Sequence, residues 1–240
     1  MNPSTSATGS VEASAGVAPR RRSVLLVDDH PIVRQGLAQL INQEPDLIVS
    51  AEAATAQQAM DLLDRPGIAV DIAIVDISLE DRSGIELIKE IRARWPQLPI
   101  LVLSMHDEAL YAERALRAGA RGYIMKQEAT DRVMTAIRKV LGGEIYVGER
   151  IAARLLGQLV SSGGGEPSIS PLRRLSDREL EIFTMIGRGL GTREIATKLF
   201  LSIKTVEAHR EHIKEKLQLR SGTELMRAAV QYVLELPRSQ

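Results

Sequence analysis

The chain has 240 residues, 44% hydrophobic and 26% charged, which is the make-up of a folded protein with room for two domains. No apolar run reaches the roughly 20 residues of a membrane-spanning helix. Cysteine is absent, which excludes disulfides and thiolate metal sites and fits a cytoplasmic setting. From the amino end, residues 1–22 are small and polar and close on Arg20-Arg21-Arg22. A secretory signal carries its positive charge ahead of an apolar core, and this segment has none, so a disordered tail is expected. Residues 23–145 then alternate apolar strand-like runs with amphipathic helical stretches at about 31–42, 55–64, 84–95, 108–118 and 130–141. Five such βα units imply an α/β domain, a five-stranded, doubly wound parallel sheet with helices on both faces. Residues 146–172 read as a linker with room for a short helix, its Ser161-Ser162-Gly163-Gly164-Gly165 run too flexible for regular structure.

Residues 173–240 read as a separate all-α domain of four helices. Ser176-Asp177-Arg178-Glu179 is a capping box, Thr192 and Ser202 sit at the caps of two helices around a tight turn at Phe200-Leu201, and Ser221-Gly222-Thr223-Glu224 is a second capping-box match. Two helices around a tight turn make a helix-turn-helix. Charge divides the same way. Residues 23–146 carry 13 Lys+Arg against 19 Asp+Glu, and residues 171–240 carry 13 against 9, so the back half suits a polyanion.

Four apolar runs end on chemistry-bearing residues. Val24-Leu25-Leu26-Val27 precedes Asp28-Asp29, Ile72-Ala73-Ile74-Val75 precedes Asp76, Ile100-Leu101-Val102-Leu103 precedes Ser104, and Gly122-Tyr123-Ile124-Met125 precedes Lys126. In an open parallel sheet those ends gather along one carboxyl edge, where α/β folds bind ligands. Three carboxylates, a hydroxyl and an ammonium in one cleft suit a divalent cation and a phosphoryl group. His30 and His106 lie near this edge, but their spacing matches no metal motif and they read as rim residues.

Val-Asp-Asp-His-Pro (27–31), the strand ending at Asp76, Leu-Ser-Met-His (103–106) and Gly-Tyr-Ile-Met-Lys (122–126) together resemble a response-regulator receiver domain. The resemblance implies that Asp76 accepts a phosphoryl group from a histidine kinase. It further implies that Asp28, Asp29, Asp76 and the backbone carbonyl of Ser78 hold Mg²⁺, and that Ser104, Lys126 and the aromatic Tyr123 form the switch. The switch is affordable: moving a two-state equilibrium from 1:99 to 99:1 needs about 5.5 kcal/mol, and each charge-assisted hydrogen bond contributes about 1.5–3 kcal/mol.

Leu-Ser-Asp-Arg-Glu-Leu-Glu-Ile (175–182), Arg-Glu-Ile-Ala-Thr-Lys-Leu (193–199) and Lys-Thr-Val-Glu-Ala-His-Arg-Glu-His-Ile-Lys-Glu-Lys-Leu (204–217) resemble the LuxR-type effector domain. Receiver plus this effector defines the NarL/FixJ subfamily of transcription regulators, whose implied partners are promoter DNA, RNA polymerase and a second copy of the phosphorylated chain. In the third helix, Val206, His209 or Arg210, Ile213 and Leu217 form the expected inward stripe. Lys204, Thr205, Glu207, Ala208, Glu211 and Lys214 are expected outward. Lys204, Thr205, Lys214 and Arg220 suit phosphates, Ala208 a thymine methyl and Glu207 a cytosine amino group. The last helix presents Leu225, Met226, Ala229 and Val233, a stripe that serves either as its core face or, by resemblance, as the dimer face.

Two other readings compete. A Mg²⁺-dependent phosphohydrolase with Asp76 as nucleophile typically needs a second acid two residues on, where this chain has Ser78. A DNA binder that works without phosphate would have no use for the full set of site residues.

Overall fold

The computed structural model describes residues 20–79, 81–105, 108–149, 151–153, 157, 171–199 and 201–235. The first domain runs β1 (Arg22–Val27), α1 (Pro31–Asn42), β2 (Leu47–Ala53), α2 (Ala56–Asp64), β3 (Ile72–Val75), α3 (Gly84–Arg94), β4 (Ile100–Ser104), α4 (Glu108–Ala118), β5 (Gly122–Met125) and α5 (Ala129–Leu141). The strands form one parallel sheet in the order β2-β1-β3-β4-β5. Chain direction across the sheet reverses between β1 and β3, which makes their carboxyl ends the natural ligand crevice.

Successive side chains along a strand point to opposite faces, so each central strand feeds two cores. Val24 and Leu26 join Leu37 and Ile41 of α1 and Val133, Ile137 and Val140 of α5. Leu25 and Val27 join Met60 of α2, Ile88 and Ile91 of α3 and Ala112 and Ala115 of α4. Burial on both sides explains the unbroken aliphatic runs of β1, β3 and β4. β2 lies at the sheet edge and alternates buried with exposed residues, so it lacks such a run.

The expected domain limits shift at both ends. Arg22 already belongs to β1, and Arg21 reaches the carbonyls of Asn42 and Glu44 at 3.0 and 2.8 Å, so the tail ends before position 22. Residues 1–19 are outside the described part. At the far end, Tyr146 exchanges backbone hydrogen bonds with Tyr123 and Arg121 at 2.8 and 2.9 Å, extending the domain past 145. In the segment read as a linker, residues 149 and 151–153 are helical, and Ile151 is buried. The Ser/Gly run lies outside the described residues.

The second domain opens with a 3-10 turn (Pro171–Arg174), followed by α6 (Asp177–Gly187), α7 (Thr192–Lys198), α8 (Ile203–Leu217) and α9 (Gly222–Glu235). Its core is Leu180, Phe183 and Ile186 with Ile195, Val206, Ile213, Leu225 and Ala229. α6 and α9 approach closely because Gly187 has no side chain, and a Cβ there would lie 2.3 Å from the Ala229 carbonyl oxygen. The Ser176–Glu179 capping box is complete. Two other cap assignments need correction. Gly191, not Thr192, caps α7, because Glu194 folds back on the Gly191 N–H. At α9, Ser221 Oγ accepts from the Glu224 N–H, but the Glu224 carboxylate reaches Arg220 N rather than Ser221 N. No helix among the described residues is long and apolar enough to cross a membrane.

Candidate functional site

At the carboxyl ends of β1, β3 and β5 three ionised side chains are locked together inside the protein. Lys126 Nζ lies 2.7 Å from Asp76 Oδ2 and 2.7 Å from Asp28 Oδ2, with all three side chains 5% exposed or less. Each is fixed by its strand. Asp76 N donates to the Val27 carbonyl at 2.9 Å and Asp28 N to that of Ala53 at 3.1 Å, carrying the sheet ladder into the site. The second oxygens are also engaged: Asp76 Oδ1 accepts from Ser78 N at 3.2 Å and Asp28 Oδ1 from His30 N at 2.9 Å. α3 begins directly against Asp76, and Gly84 permits it, since a Cβ there would meet the Asp76 carbonyl oxygen at 2.0 Å.

Burial and charge pull the groups in opposite directions. Burial pushes the Asp76 carboxyl up to about 6, against the pull of Lys126 and with the help of the Asp28 charge. Burial disfavours the Lys126 ammonium too, but Asp76 and Asp28 outweigh it and hold its pKa above the ordinary lysine value. Asp29 completes the acidic set, with His30 Nδ1 2.5 Å from its Oδ1. Ligand atoms of Asp28, Asp29, His30 and Asp76 lie within 4.8 Å of one another. Three carboxylates against one ammonium leave negative charge uncompensated, and their oxygens are the ligands a hard dication takes. The donor set therefore fits Mg²⁺.

The remaining residues named for this edge are placed by the sheet. Ser104 ends β4, fully buried and in register with Met125, one residue before Lys126. Tyr123 is buried at 1% exposure. Ser78 lies beside Asp76 through its N–H. His30 is exposed at the rim, and His106 falls outside the described residues. The loop after β3 is tied down by Asp81, whose carboxylate accepts from Ala56 N and Gln57 N at 3.0 and 3.1 Å at the start of α2.

In the second domain α8 presents Lys204, Thr205, Glu207, Ala208 and Glu211 to solvent, with Arg220 exposed just beyond. Val206 and Ile213 are buried as the inward stripe, with His209, Arg210 and Leu217 half-buried. Lys214 departs from expectation. Its side chain is only 20% exposed and pairs with Glu211 at 2.8 Å, so it lies along the helix instead of standing off it. Leu225 and Ala229 are also corrected: both are fully buried, and Val233 packs near Gly187, because α9 spends this stripe on α6. Met226 is exposed, as is Leu234 a little over two turns further on, a residue that gave no signal in the sequence. Glu179, His209 and His212 bring ligand atoms within 4.8 Å as well. Glu179 is already committed, accepting from Lys216 Nζ at 2.8 and 2.6 Å and from Ser176 N at 2.7 Å, so this cluster ties α8 to α6.

Sequence comparison matches residues 24–138 to the response regulator receiver domain and residues 173–229 to the bacterial regulatory proteins of the luxR family. The chain is a LuxR-family two-component response regulator, a DNA-binding transcription regulator. It is 37% identical over 213 residues to the oxygen regulatory protein NreC of Staphylococcus epidermidis, covering 86% of this chain and 96% of that one. NreC of Staphylococcus aureus is likewise 37% identical over 210 residues, with the same coverage. Among solved structures, RcsB of Salmonella enterica serovar Typhimurium bound to promoter rprA in the presence of phosphomimetic BeF3⁻ aligns with a TM-score of 0.55 at 27% identity, over 88% of this chain and 99% of that one. A LuxR-family response regulator from Aurantimonas sp. aligns with a TM-score of 0.53 at 35% identity, over 58% of this chain and 99% of that one.

Proposed function

We propose that Asp76 takes a phosphoryl group from a histidine kinase and that the resulting acyl phosphate controls promoter binding through α8. The carrying observation is the Lys126 ammonium held 2.7 Å from both Asp76 and Asp28 in a buried pocket at the carboxyl edge of the sheet. In the transfer, an Asp76 carboxylate oxygen forms a bond to phosphorus as the phosphorus–nitrogen bond to the kinase histidine breaks, and that imidazole leaves to take up a proton. Asp28, Asp29, Asp76 and the Ser78 carbonyl would hold Mg²⁺, whose charge would offset repulsion between the incoming phosphate and the carboxylates. Lys126 then pairs with phosphate oxygen in place of the Asp76 carboxylate, Ser104 donates its hydroxyl, and Tyr123 follows the shift.

At the DNA end, Lys204, Thr205 and Arg220 contact phosphates while Glu207, Ala208 and Glu211 face base edges. Lys214, bound to Glu211, contributes less. Met226 and Leu234 supply the apolar part of a dimer face on α9. RcsB, at 27% identity, has been solved as two dimers bound to two parallel DNAs, which supports a homodimer on duplex DNA here. RNA polymerase is the further partner expected of such a regulator, and the cytoplasm its place of action. Incubation with acetyl phosphate and Mg²⁺ tests the reading: the peptide containing Asp76 gains one phosphoryl group, and Asp76→Asn gains none. No label, or label elsewhere, overturns it.

A further inference from the structure

One of the groups assigned to the metal, the Ser78 carbonyl, belongs to the backbone, and a backbone group is placed only as well as its loop is held. Among its described residues the loop between β3 and α3 has no helix or strand of its own, so side chains and turns must fix its course. Several contacts fasten it to itself and to α3. Ser78 forms an isolated antiparallel bridge with Ser83, and Gly84 N donates to the Ile77 carbonyl at 2.8 Å. Arg82 pairs with Glu90 of α3 at 2.6 Å, and Leu79 is buried at 3% exposure.

A further contact ties the loop to a different helix. Asp81, three residues after Ser78, accepts at Oδ1 from Ala56 N at 3.0 Å and at Oδ2 from Gln57 N at 3.1 Å. These are the first two N–H groups of α2, which have no acceptor within their own helix. The next, Gln58 N, goes to Thr55 Oγ1 at 3.1 Å. The first turn of α2 is therefore closed by two residues distant in sequence, and only one of them sits on the loop beside Asp76. The positive end of the helix also favours the Asp81 charge. α2 offers a firm anchor, since Ala56, Ala59 and Met60 are all 2% exposed or less.

We propose that Asp81 is a positioning residue for the metal: by docking the β3–α3 loop on the amino end of α2, it holds the Ser78 carbonyl in line with Asp28, Asp29 and Asp76. This role rests on the metal set read above. Asp81 acts at one remove, because both of its carboxylate oxygens are engaged by α2. A loop already ordered need not be ordered by the ion on binding, so the effect falls on affinity for Mg²⁺. Asp81 is otherwise exposed, and its replacement leaves the buried core of the sheet untouched.

Calorimetric titration of Mg²⁺ into the metal-free full chain reads that affinity, and urea unfolding without metal reads stability beside it. Asp81→Ala is expected to bind Mg²⁺ about tenfold more weakly. Asp81→Asn loses the same charge but keeps one acceptor oxygen, and is expected to bind about threefold more weakly. The gap between the two variants reads the hydrogen bonds and not the charge. Thr55→Ala removes the neighbouring cap of the same helix, and is expected to lose stability with Mg²⁺ affinity unchanged. Natural affinity in Asp81→Ala overturns the role. Equal weakening in Asp81→Ala and Asp81→Asn overturns it too, by assigning the effect to charge. Equal weakening in Thr55→Ala does the same by assigning it to the stability of α2. A natural chain that binds no Mg²⁺ at all removes the metal set itself, and the positioning role with it.

Discussion

Lys126 and Lys204 carry the same charge in opposite settings. Lys126 is buried at 5% exposure between two carboxylates, each 2.7 Å from its ammonium. Lys204 stands exposed on the first turn of α8. A buried charge is held by partners whose removal strands the others, so it is rigid, costly and sensitive to a neighbour's charge. An exposed charge contributes little to folding and can be spent on a partner outside the molecule. The receiver thus stores its chemistry inside, where an added phosphate must rearrange it. The effector leaves its chemistry outside, where DNA can reach it.

The most severe way to break this contrast is Lys126→Ala. It leaves Asp28 and Asp76 facing each other without a cation, and removing one partner of a buried pair costs about 3–5 kcal/mol. Denaturant unfolding at pH 8 should show that loss, and the loss should shrink as pH falls, because Asp76 then takes up a proton.

Asp76→Asn should act with the opposite sign. The folded-state pKa of Asp76 is raised to about 6 from an ordinary 3.8, chiefly by burial. Its contribution is therefore favourable below the unfolded value and is lost as pH rises through about 6. With about 1.36 kcal/mol per pKa unit, the variant should be more stable than the natural chain by about 1–3 kcal/mol at pH 8 in the absence of metal. That gain should vanish near pH 4. The proposed acceptor would then be a residue kept for chemistry at the expense of stability.

Glu179→Gln in the second domain should have a smaller effect, about 1 kcal/mol, set by its hydrogen bonds to Lys216 and Ser176. Burial raises the Glu179 pKa, but Lys216 and Ser176 overcome it and hold the group below its ordinary value. The benefit of the natural residue is present at neutral pH and is lost as pH falls through that lowered value, so the two proteins should converge in acid.

Lys204→Ala should change stability least, within about 0.5 kcal/mol. Its effect belongs to DNA, where the loss of one phosphate contact lowers the log–log salt slope by about 0.9. Lys214→Ala should move that slope less, because its ammonium is already engaged by Glu211. Equal slopes for the two variants would remove the distinction drawn between them.

The same contrast governs what could be read without coordinates. Asp28, Asp76, Ser104 and Lys126 were legible because each follows an aliphatic run, and burial on both sheet faces is what makes such runs unbroken. β2 escaped that signal because an edge strand with one wet face alternates. On α9 the apolar period showed that Leu225, Ala229 and Val233 share a stripe but not what covers it, and α6 does. The α7 cap went to Thr192 on side-chain chemistry, whereas the cap is a backbone N–H of Gly191 satisfied by Glu194. Asp81 gave no local signal at all: it finds its partners on α2, 24 and 25 residues away.

DNA affinity with and without phosphorylation tests the central claim most directly. The probe is a duplex selected from random sequence by the acetyl-phosphate-treated chain, titrated against that chain, the untreated chain and Asp76→Asn treated in the same way with Mg²⁺. Tighter binding by the treated natural chain alone is the predicted result. Equal affinity for all three would contradict it.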